Sequence, residues 1–449
     1  MYSPHKNKLV VSIYILLSWV VVLIDSYTPV GRYGQSSVLV GDKIYHFGGE
    51  QLPQANISAA LDEVLYLDLS TPFNIKSPSW INITPKSQIP FANSLSTAVS
   101  HLNDNGTYII YLIGGIMVDV KTDEDKFSSF VHVFNTDSNE WATSTTEGEP
   151  ERRFELSSVI DKSNKIRIFG GVTNKDTGSP ITKWFTDQYV LDLETMVWTS
   201  SIGSDVPTQR FDYSTTLLPN GLIICIGGWE IPLGDKERFI EMNQIYIYDT
   251  NINKWDLKFA SGAKNIDARR FHTASLTDDG RIIVFGGENV VHGSAQPSLV
   301  VLDTNDGRTF TWILPFISEE PYASPLPLML HSASIINDYM VVTFGNVTDG
   351  REKLNDRVYL FDVMNYQWIN EYIINSSFSP MSRSKPKKAL GKSPSNKQTD
   401  DPETDEPRYL ITIISTCIGS LAFGVIITAI ITYIYKKHKR IMRDHKELH

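Results

Sequence analysis

The chain has 449 residues, 41% of them hydrophobic and 20% charged, with a net charge of −10. That is enough apolar material for a sizeable core, so a wholly disordered chain is excluded, and two cysteines exclude a disulfide framework. Residues 27–375 hold 26 Lys and Arg against 43 Asp and Glu, a net of −17, which argues against nucleic acid or anionic lipid as a ligand.

In chain order the first feature is Leu9 to Ile24, a sixteen-residue uncharged run, apolar except for two Ser, after Lys6 and Lys8. A basic start before a short apolar run predicts a signal peptide over 1–26, ending on small Ser26. An uncleaved anchor is the rival, because the run borders on the length of a span.

Residues 27–375 then repeat one phrase. A hydrophobic strand stops at Gly48-Gly49, Gly114-Gly115, Gly170-Gly171, Gly227-Gly228 and Gly286-Gly287, and at Gly345-Asn346 in the sixth copy. A glycine turn after a strand can cradle phosphate, but neither a G-x-G-x-x-G spacing after Gly286 nor a P-loop is present. Recurrence makes the pairs architectural. Trp80, Trp141, Trp198, Trp255, Trp312 and Trp368 keep the same beat, 61, 57, 57, 57 and 56 residues apart. Ahead of them strands end in Asp68, Asn135, Asp192, Asp249, Asp303 and Asp362, and a hydroxyl precedes each glycine pair: Ser36, Ser94, Ser157, Ser214, Thr273 and Ser332. In the second copy that interval is 20 residues instead of 12 or 13, an excess assigned to the turn "HLNDNGTY".

Each unit reads as four short strands, as in "RFDYSTTLL", "GLIICIGG", "NQIYIYD" and "KWDLKF". One such sheet buries too little to stand alone, whereas six arranged radially protect their edges and stack face on face. The expected fold class is all-β, a six-bladed β-propeller with blades near 27–85, 86–146, 147–203, 204–261, 262–317 and 318–375. The six Trp are expected in the core between blades. The glycines are expected where the backbone is left-handed or closely approached, with Asn346 replacing the last one because Asn tolerates that region.

The order R-x-x-H-[ST], strand, Gly-Gly, long loop, strand ending in Asp, then Trp resembles the kelch repeat. "RRFHT" (Arg269 to Thr273) matches in full; Arg32, Arg153 and Arg210 keep the Arg, with Gln35, Leu156 and Tyr213 in the His position. His331 keeps the His alone, and the second copy, with Pro90 and Asn93, diverges most. The resemblance implies a kelch-type propeller over nearly all of 27–375. It implies no single function, since the fold hosts enzymes, sugar binders and protein-binding platforms.

The segments after the glycine pairs are about 10 to 16 residues long, unusual for hairpins. They carry Trp184, Phe185, Trp229 and Phe239, aromatics without a counterpart in the other copies and therefore candidate binding residues. The alternative is that they tuck against their own blade. Sequons at Asn56, Asn82, Asn105 and Asn375 are candidate glycan acceptors; Asn346 also carries one, at the glycine position.

Residues 376–408, rich in Ser, Pro and Lys and then acidic, are expected to form a disordered stalk. Tyr409 to Tyr435, 27 residues without a charge, predicts one C-terminal transmembrane α-helix. The tail 436–449, with six Lys and Arg against two acids, is expected to be cytoplasmic. Either fate of the N-terminal segment then leaves the propeller outside, extracellular or lumenal, and a cleaved signal makes the protein single-pass type I.

The functional expectation is a recognition platform for protein or glycan, without catalysis or cofactor. The alternative is an ectoenzyme. Copper-radical oxidases, which share the kelch propeller, need two His and two Tyr around copper with one Tyr cross-linked to Cys. Here Cys225 lies in a strand, and His46, His101, His132, His272, His292 and His331 are scattered without ligand spacing. A metal-free sugar mutarotase would need Arg, Glu and His converging on the central cavity, which the sequence does not mark. A third reading, a cytoplasmic kelch adaptor, conflicts with the membrane signals at both ends.

Overall fold

The structure is a computed structural model. It describes residues 27–374 apart from 54–58, 88–90, 120, 123, 126–128, 202–205, 233–235, 305–306, 320–322, 324 and 351–352. The expected signal peptide (1–26), stalk, span Tyr409 to Tyr435 and tail lie outside the described residues, as do Asn56, Pro90 and Asn375. Among the described residues no helix is long and apolar enough to cross a membrane. The strands below all belong to the unit Met1–Ser379.

The fold is all-β and propeller-like. Six antiparallel four-stranded meanders follow one another among the described residues, the sixth extended by a short parallel strand, Ser318–Glu319, against its outermost strand. The first is Ser36–Val40, Lys43–Phe47, Val64–Asp68 and Trp80–Asn82; the second runs from Thr97–Leu102 to Glu140–Thr143, the third from Ser157–Ile160 to Val197–Ser201. The fourth, fifth and sixth run from Ser214–Leu217 to Lys254–Phe259, Thr273–Leu276 to Thr311–Ile313 and Ser332–Ile336 to Gln367–Ile369. Four of the six second strands, such as Arg281–Phe285, bury all but their first residue, Tyr108–Ile113 buries its last four and Tyr339–Thr343 is buried throughout. A strand covered on both faces by neighbouring sheets can be apolar throughout, which is why these runs do not alternate. The first strands carry Ser and Thr and stay half-exposed, each beside the next sheet's first strand, with the sixth beside the first.

The glycine pairs make the seams between sheets. The amide of each second glycine donates to a carbonyl of the following sheet: Gly49 to Asn93 at 2.7 Å, Gly115 to Arg153 at 2.9 Å, Gly171 to Arg210 at 3.0 Å, Gly228 to Arg269 at 2.8 Å and Gly287 to Leu328 at 2.8 Å. Gly345 returns the pattern to Arg32 at 2.7 Å. Two registers differ from the sequence expectation. In the sixth copy Gly345 is the second member and Phe344, left-handed at φ 59°, is the first, so Asn346 is not a glycine substitute. In the second copy Asn93 holds the Arg position, Ser96 the His position and Thr97 opens the inner strand, in place of Ser94. Two six-residue strands, Thr97–Leu102 and Tyr108–Ile113, take up the extra length together with the turn between them.

The repeat's other residues have structural tasks. Arg32, Arg153 and Arg269 are fully buried and donate to the carbonyl of the first glycine of their own sheet, at 3.1 Å from Gly48, Gly170 and Gly286. Glu63 and Asp187 pair with the first two. Arg210 has no such partner among the described residues; its guanidinium rests 4.3 Å from the Tyr246 ring. The strand-ending acids Asp68, Asn135, Asp192, Asp249 and Asp362 each accept the amide two residues on, turning the chain toward the fourth strand. Five of the six periodic Trp are buried and Trp141 half-buried. They pack against the preceding sheet: Trp80 lies 5.2 Å from Phe344, Trp141 5.4 Å from Phe47, Trp255 4.9 Å from Phe169 and Trp368 5.2 Å from Phe285. Each such indole withdraws roughly 150–250 Å² from water. Finally, Glu371–Tyr372 pairs antiparallel with Phe73–Asn74, in the connector between the third and fourth strands of the first sheet, so the end of the repeat region is held against its beginning.

Candidate functional site

Sequence reasoning treats the segments after the glycine pairs as loops. In the structure they form a second tier of short β-ribbons on one face. Val172–Thr173 pairs with Lys183–Trp184, and Glu288–Asn289 with Gly293–Ser294. Two are three-stranded: Ala92–Ser94, Ile116–Asp119 and Glu124–Asp125 in the second copy, and Gln209–Phe211, Trp229–Ile231 and Arg238–Phe239 in the fourth. Cross-strand pairing places Phe211 opposite Trp229 and Trp229 opposite Phe239.

Three of the four candidate aromatics converge there. Trp184 lies 6.4 Å from Phe211, Phe211 stacks on Trp229 at 6.3 Å and 8°, and Trp229 stacks on Phe239 at 4.9 Å and 18°. Trp184, Trp229 and Phe239 stay partly exposed. Phe185 does not join them: it is buried, with the Arg153 guanidinium 3.5 Å from its ring centre, so it packs on its own sheet and leaves the candidate set. Phe211 and Arg270 were missed by sequence reasoning, because both stand inside the kelch motif and read as scaffold. Arg270 holds its guanidinium carbon 4.3 Å over Trp229.

Arg270 also connects this aromatic ladder to the central channel. It donates to Asp212 at 3.3 Å and through Nε to Glu288 at 2.6 Å. Asp212 occupies the position before the kelch His, and its equivalents are Gly34, Leu95, Glu155, Phe271 and Leu330. All six are left-handed, with φ between 52° and 63°. Their backbones form a collar: Leu95 donates to Gly34 at 2.7 Å, Glu155 to Leu95 at 3.3 Å, Phe271 to Asp212 at 3.1 Å, Leu330 to Phe271 at 3.0 Å and Gly34 to Leu330 at 3.1 Å. Between Glu155 and Asp212 no backbone bond of this kind is present among the described residues, and the two carboxyls stand side by side. Burial, then the neighbouring carboxylate, raises the Asp212 proton affinity well above the usual range, and burial pushes Glu155 up to about 7.

The collar lines a cavity of about 150 Å³ together with Gln35, Ser96, Tyr213, His272 and His331. His272 Nε2 meets Ser214 Oγ at 2.9 Å and His331 Nε2 meets Thr273 Oγ1 at 2.9 Å, each a link to the preceding sheet. Burial holds both imidazoles neutral, down to about 3. Cys225 is a buried free thiol, pushed up to about 12 by burial and so inert as a nucleophile. Among the described residues no three His, Cys, Asp or Glu form a group that could hold a metal ion. Of the sequons, Asn105 is exposed in a hairpin turn; Asn82 and Asn346 are half-buried in short strands.

A family model described as the Attractin/LZTR1 beta-propeller matches residues 3–295, and one described as the KLHDC2/KLHL20/DRC7 Kelch-repeats domain matches residues 234–392. The chain is similar to tag-53 of Caenorhabditis elegans, 26% identical over 312 residues, covering 66% of this chain and 21% of that protein. Host cell factor of Drosophila melanogaster is 26% identical over 214 residues, 44% of this chain and 14% of that protein. Kelch domain-containing protein 3 of Rattus norvegicus is 24% identical over 347 residues, 74% of this chain and 82% of that one. The chain thus spans only about a fifth or less of the first two relatives. Among solved structures, YjhT superposes with a TM-score of 0.51 at 16% identity, over 75% of this chain and 97% of that chain, a likeness of fold.

Proposed function

Because the chain belongs to the Attractin/LZTR1 β-propeller family, we propose that it is a six-bladed kelch propeller that recognises a protein partner on the face bearing the second-tier ribbons. Kelch β-propellers generally serve as protein-interaction scaffolds, although the fold by itself fixes no single function. The observation that carries the reading is the ladder Trp184, Phe211, Trp229 and Phe239, capped by Arg270. Aromatic and Arg side chains that are partly exposed, yet held rigid by stacking, are the residue types that dominate interface energetics. The reading includes no chemistry by the propeller itself.

The test is site-specific photo-crosslinking on the full chain. A crosslinker at Trp229 should capture a partner that one at Ile252, in an exposed turn between a third and a fourth strand, does not. Trp229→Ala should weaken that partner at least tenfold, about 1.4 kcal/mol, while Ile252→Ala changes nothing. Equal capture and equal effects at the two positions would overturn the assignment. Loss of capture on enzymatic removal of glycans from the partner would convert it to glycan recognition.

We also place the propeller outside the membrane, with a cleaved signal at 1–26, the blade region 27–375, a stalk at 376–408, a span at Tyr409 to Tyr435 and a cytoplasmic tail. Support comes from the uncharged 27-residue run and the basic residues after it, and from the exposure of the Asn105 sequon. Digestion with a glycosidase should increase gel mobility, and Asn105→Gln should remove part of that shift. A chain that runs identically before and after digestion contradicts this topology.

A further inference from the structure

We infer that the channel mouth between Glu155 and Asp212 is a binding site for a primary ammonium group, the end of a lysine side chain presented by the docked protein. The inference rests on the platform reading, because the site adjoins the ladder through Arg270.

Three observations carry it. The first is the inventory of polar atoms without partners around the cavity. Asp212 Oδ1, Gln35 Oε1, His272 Nδ1 and His331 Nδ1 are buried and meet no hydrogen-bonding group among the described residues, and all four side chains are more than nine-tenths buried. Gln35 is oriented by donating its Nε2 to Ser332 at 2.7 Å, which leaves its oxygen as the free acceptor. Each imidazole meets a hydroxyl through Nε2, Ser214 Oγ or Thr273 Oγ1 at 2.9 Å, and in the tautomer that donates Nε2–H its Nδ1 is an acceptor too. The open carboxylate oxygen of Asp212 and amide oxygen of Gln35 are acceptors whatever the tautomer, and they call for a ligand made of donors; an ammonium brings three.

The second is charge. Glu155, Asp212 and Glu288 face a single cation, Arg270, which is already committed to Glu288 and Asp212. Tyr213, His272 and His331 also line the cavity; the two imidazoles are neutral and the Tyr213 hydroxyl donates to Phe169 O. Glu155 and Asp212 are neighbours around the collar and both line the cavity; burial raises the proton affinity of both, and the Glu155 carboxyl adds to that of Asp212, so the pair keeps a proton. That proton marks the deficit of positive charge, and a bound ammonium takes its place. The third is size. At about 150 Å³ the cavity accepts a few water-sized groups, enough for the end of an alkylammonium chain and too little for a folded element.

Displacement fixes the stoichiometry. R–NH₃⁺ enters, the shared proton leaves to solvent, and both carboxylates then face the ammonium. Binding therefore tightens as pH rises and releases up to one proton per ligand.

The experiment is titration calorimetry of the full chain with N-acetyl-lysine amide, in two buffers of different ionisation enthalpy, at about pH 6 and about pH 7. The expected result is saturable binding, roughly three- to tenfold tighter at the higher pH, with measurable proton release. N-acetyl-norleucine amide, which lacks only the ammonium, should not bind. Glu155→Gln and Asp212→Asn, each near-isosteric, should weaken the lysine probe about tenfold or more and abolish proton release. Lysine and norleucine probes that bind alike, absence of lysine-probe binding, or binding without proton release would each overturn the inference, whatever the variants do. If the lysine probe fails while Trp229-dependent partner capture persists, the ammonium site falls and the platform stands. If the probe binds while Trp229→Ala leaves capture intact, the reverse holds.

Discussion

Acidification from about pH 6 to about pH 4 should cost this fold on the order of 5 kcal/mol of stability. His46, His272 and His331 are buried and neutral, their proton affinity depressed by burial to about 3, and burial likewise lowers His132 to about 4. An unfolded chain protonates all four near pH 6.5. Below that pH the unfolded state holds the additional protons, so stability that is complete above pH 6.5 drains away until the folded-state values are reached. Glu155 and Asp212 act in the opposite direction. Their raised affinities keep protons in the folded state that the unfolded chain has released, so acid stabilises them until about pH 4. Four imidazoles against two carboxyls leave a net uptake of one to two protons on unfolding, roughly 2 kcal/mol per pH unit between 6 and 5 and more below. Denaturant midpoints measured across this range test the balance, provided the slope of unfolding stays constant. His331→Gln should remove about one proton from the dependence. A midpoint that holds steady or rises on acidification would mean that the two carboxyls outweigh the four imidazoles.

Gly48→Ala should be the most damaging single methyl in the chain, with a loss of about 3–5 kcal/mol. The backbone there has φ 63°, and an added Cβ would lie 2.1 Å from the carbonyl oxygen of Asn93 in the next sheet. Gly41 separates the two contributions. Its φ is 59°, almost the same, but nothing stands within 4 Å of the place a Cβ would occupy. Gly41→Ala should therefore cost only the left-handed strain, about 1–2 kcal/mol. The difference between the two variants, read from their unfolding midpoints, isolates the seam clash. Equal losses would show that the glycine pairs are needed for their dihedral angles alone.

The legible part of this molecule is the part that occurs six times. Glycine pairs, indoles and strand-ending acids recur at one interval, and geometry common to all sheets explains them. The registers misread, at Asn93–Thr97 and Phe344–Gly345, lie where a copy departs from its siblings. Phe344 occupies a left-handed position by packing 5.1 Å from His46 and 5.2 Å from Trp80, a tertiary compensation that leaves no local signal. At the candidate site Trp184, Trp229 and Phe239 were visible as aromatics without counterparts, whereas Phe211 and Arg270 were hidden within the repeat motif. Glu155 and Asp212 were hidden differently. Each is ordinary alone, and only their shared place in the repeat, next to each other around the collar, makes them a pair.

Strands are not shared between the first and last meanders. The first draws all four of its strands from residues 36–82 and the sixth its four from residues 332–369. The join between them consists of the same amide-to-carbonyl bond that links every other pair of neighbours, with the Glu371–Tyr372 ribbon added across it. No seam is privileged by covalent order. A circular permutant opened in any inter-sheet connector would exchange one such join for another, and the chain's starting point is thermodynamically close to arbitrary.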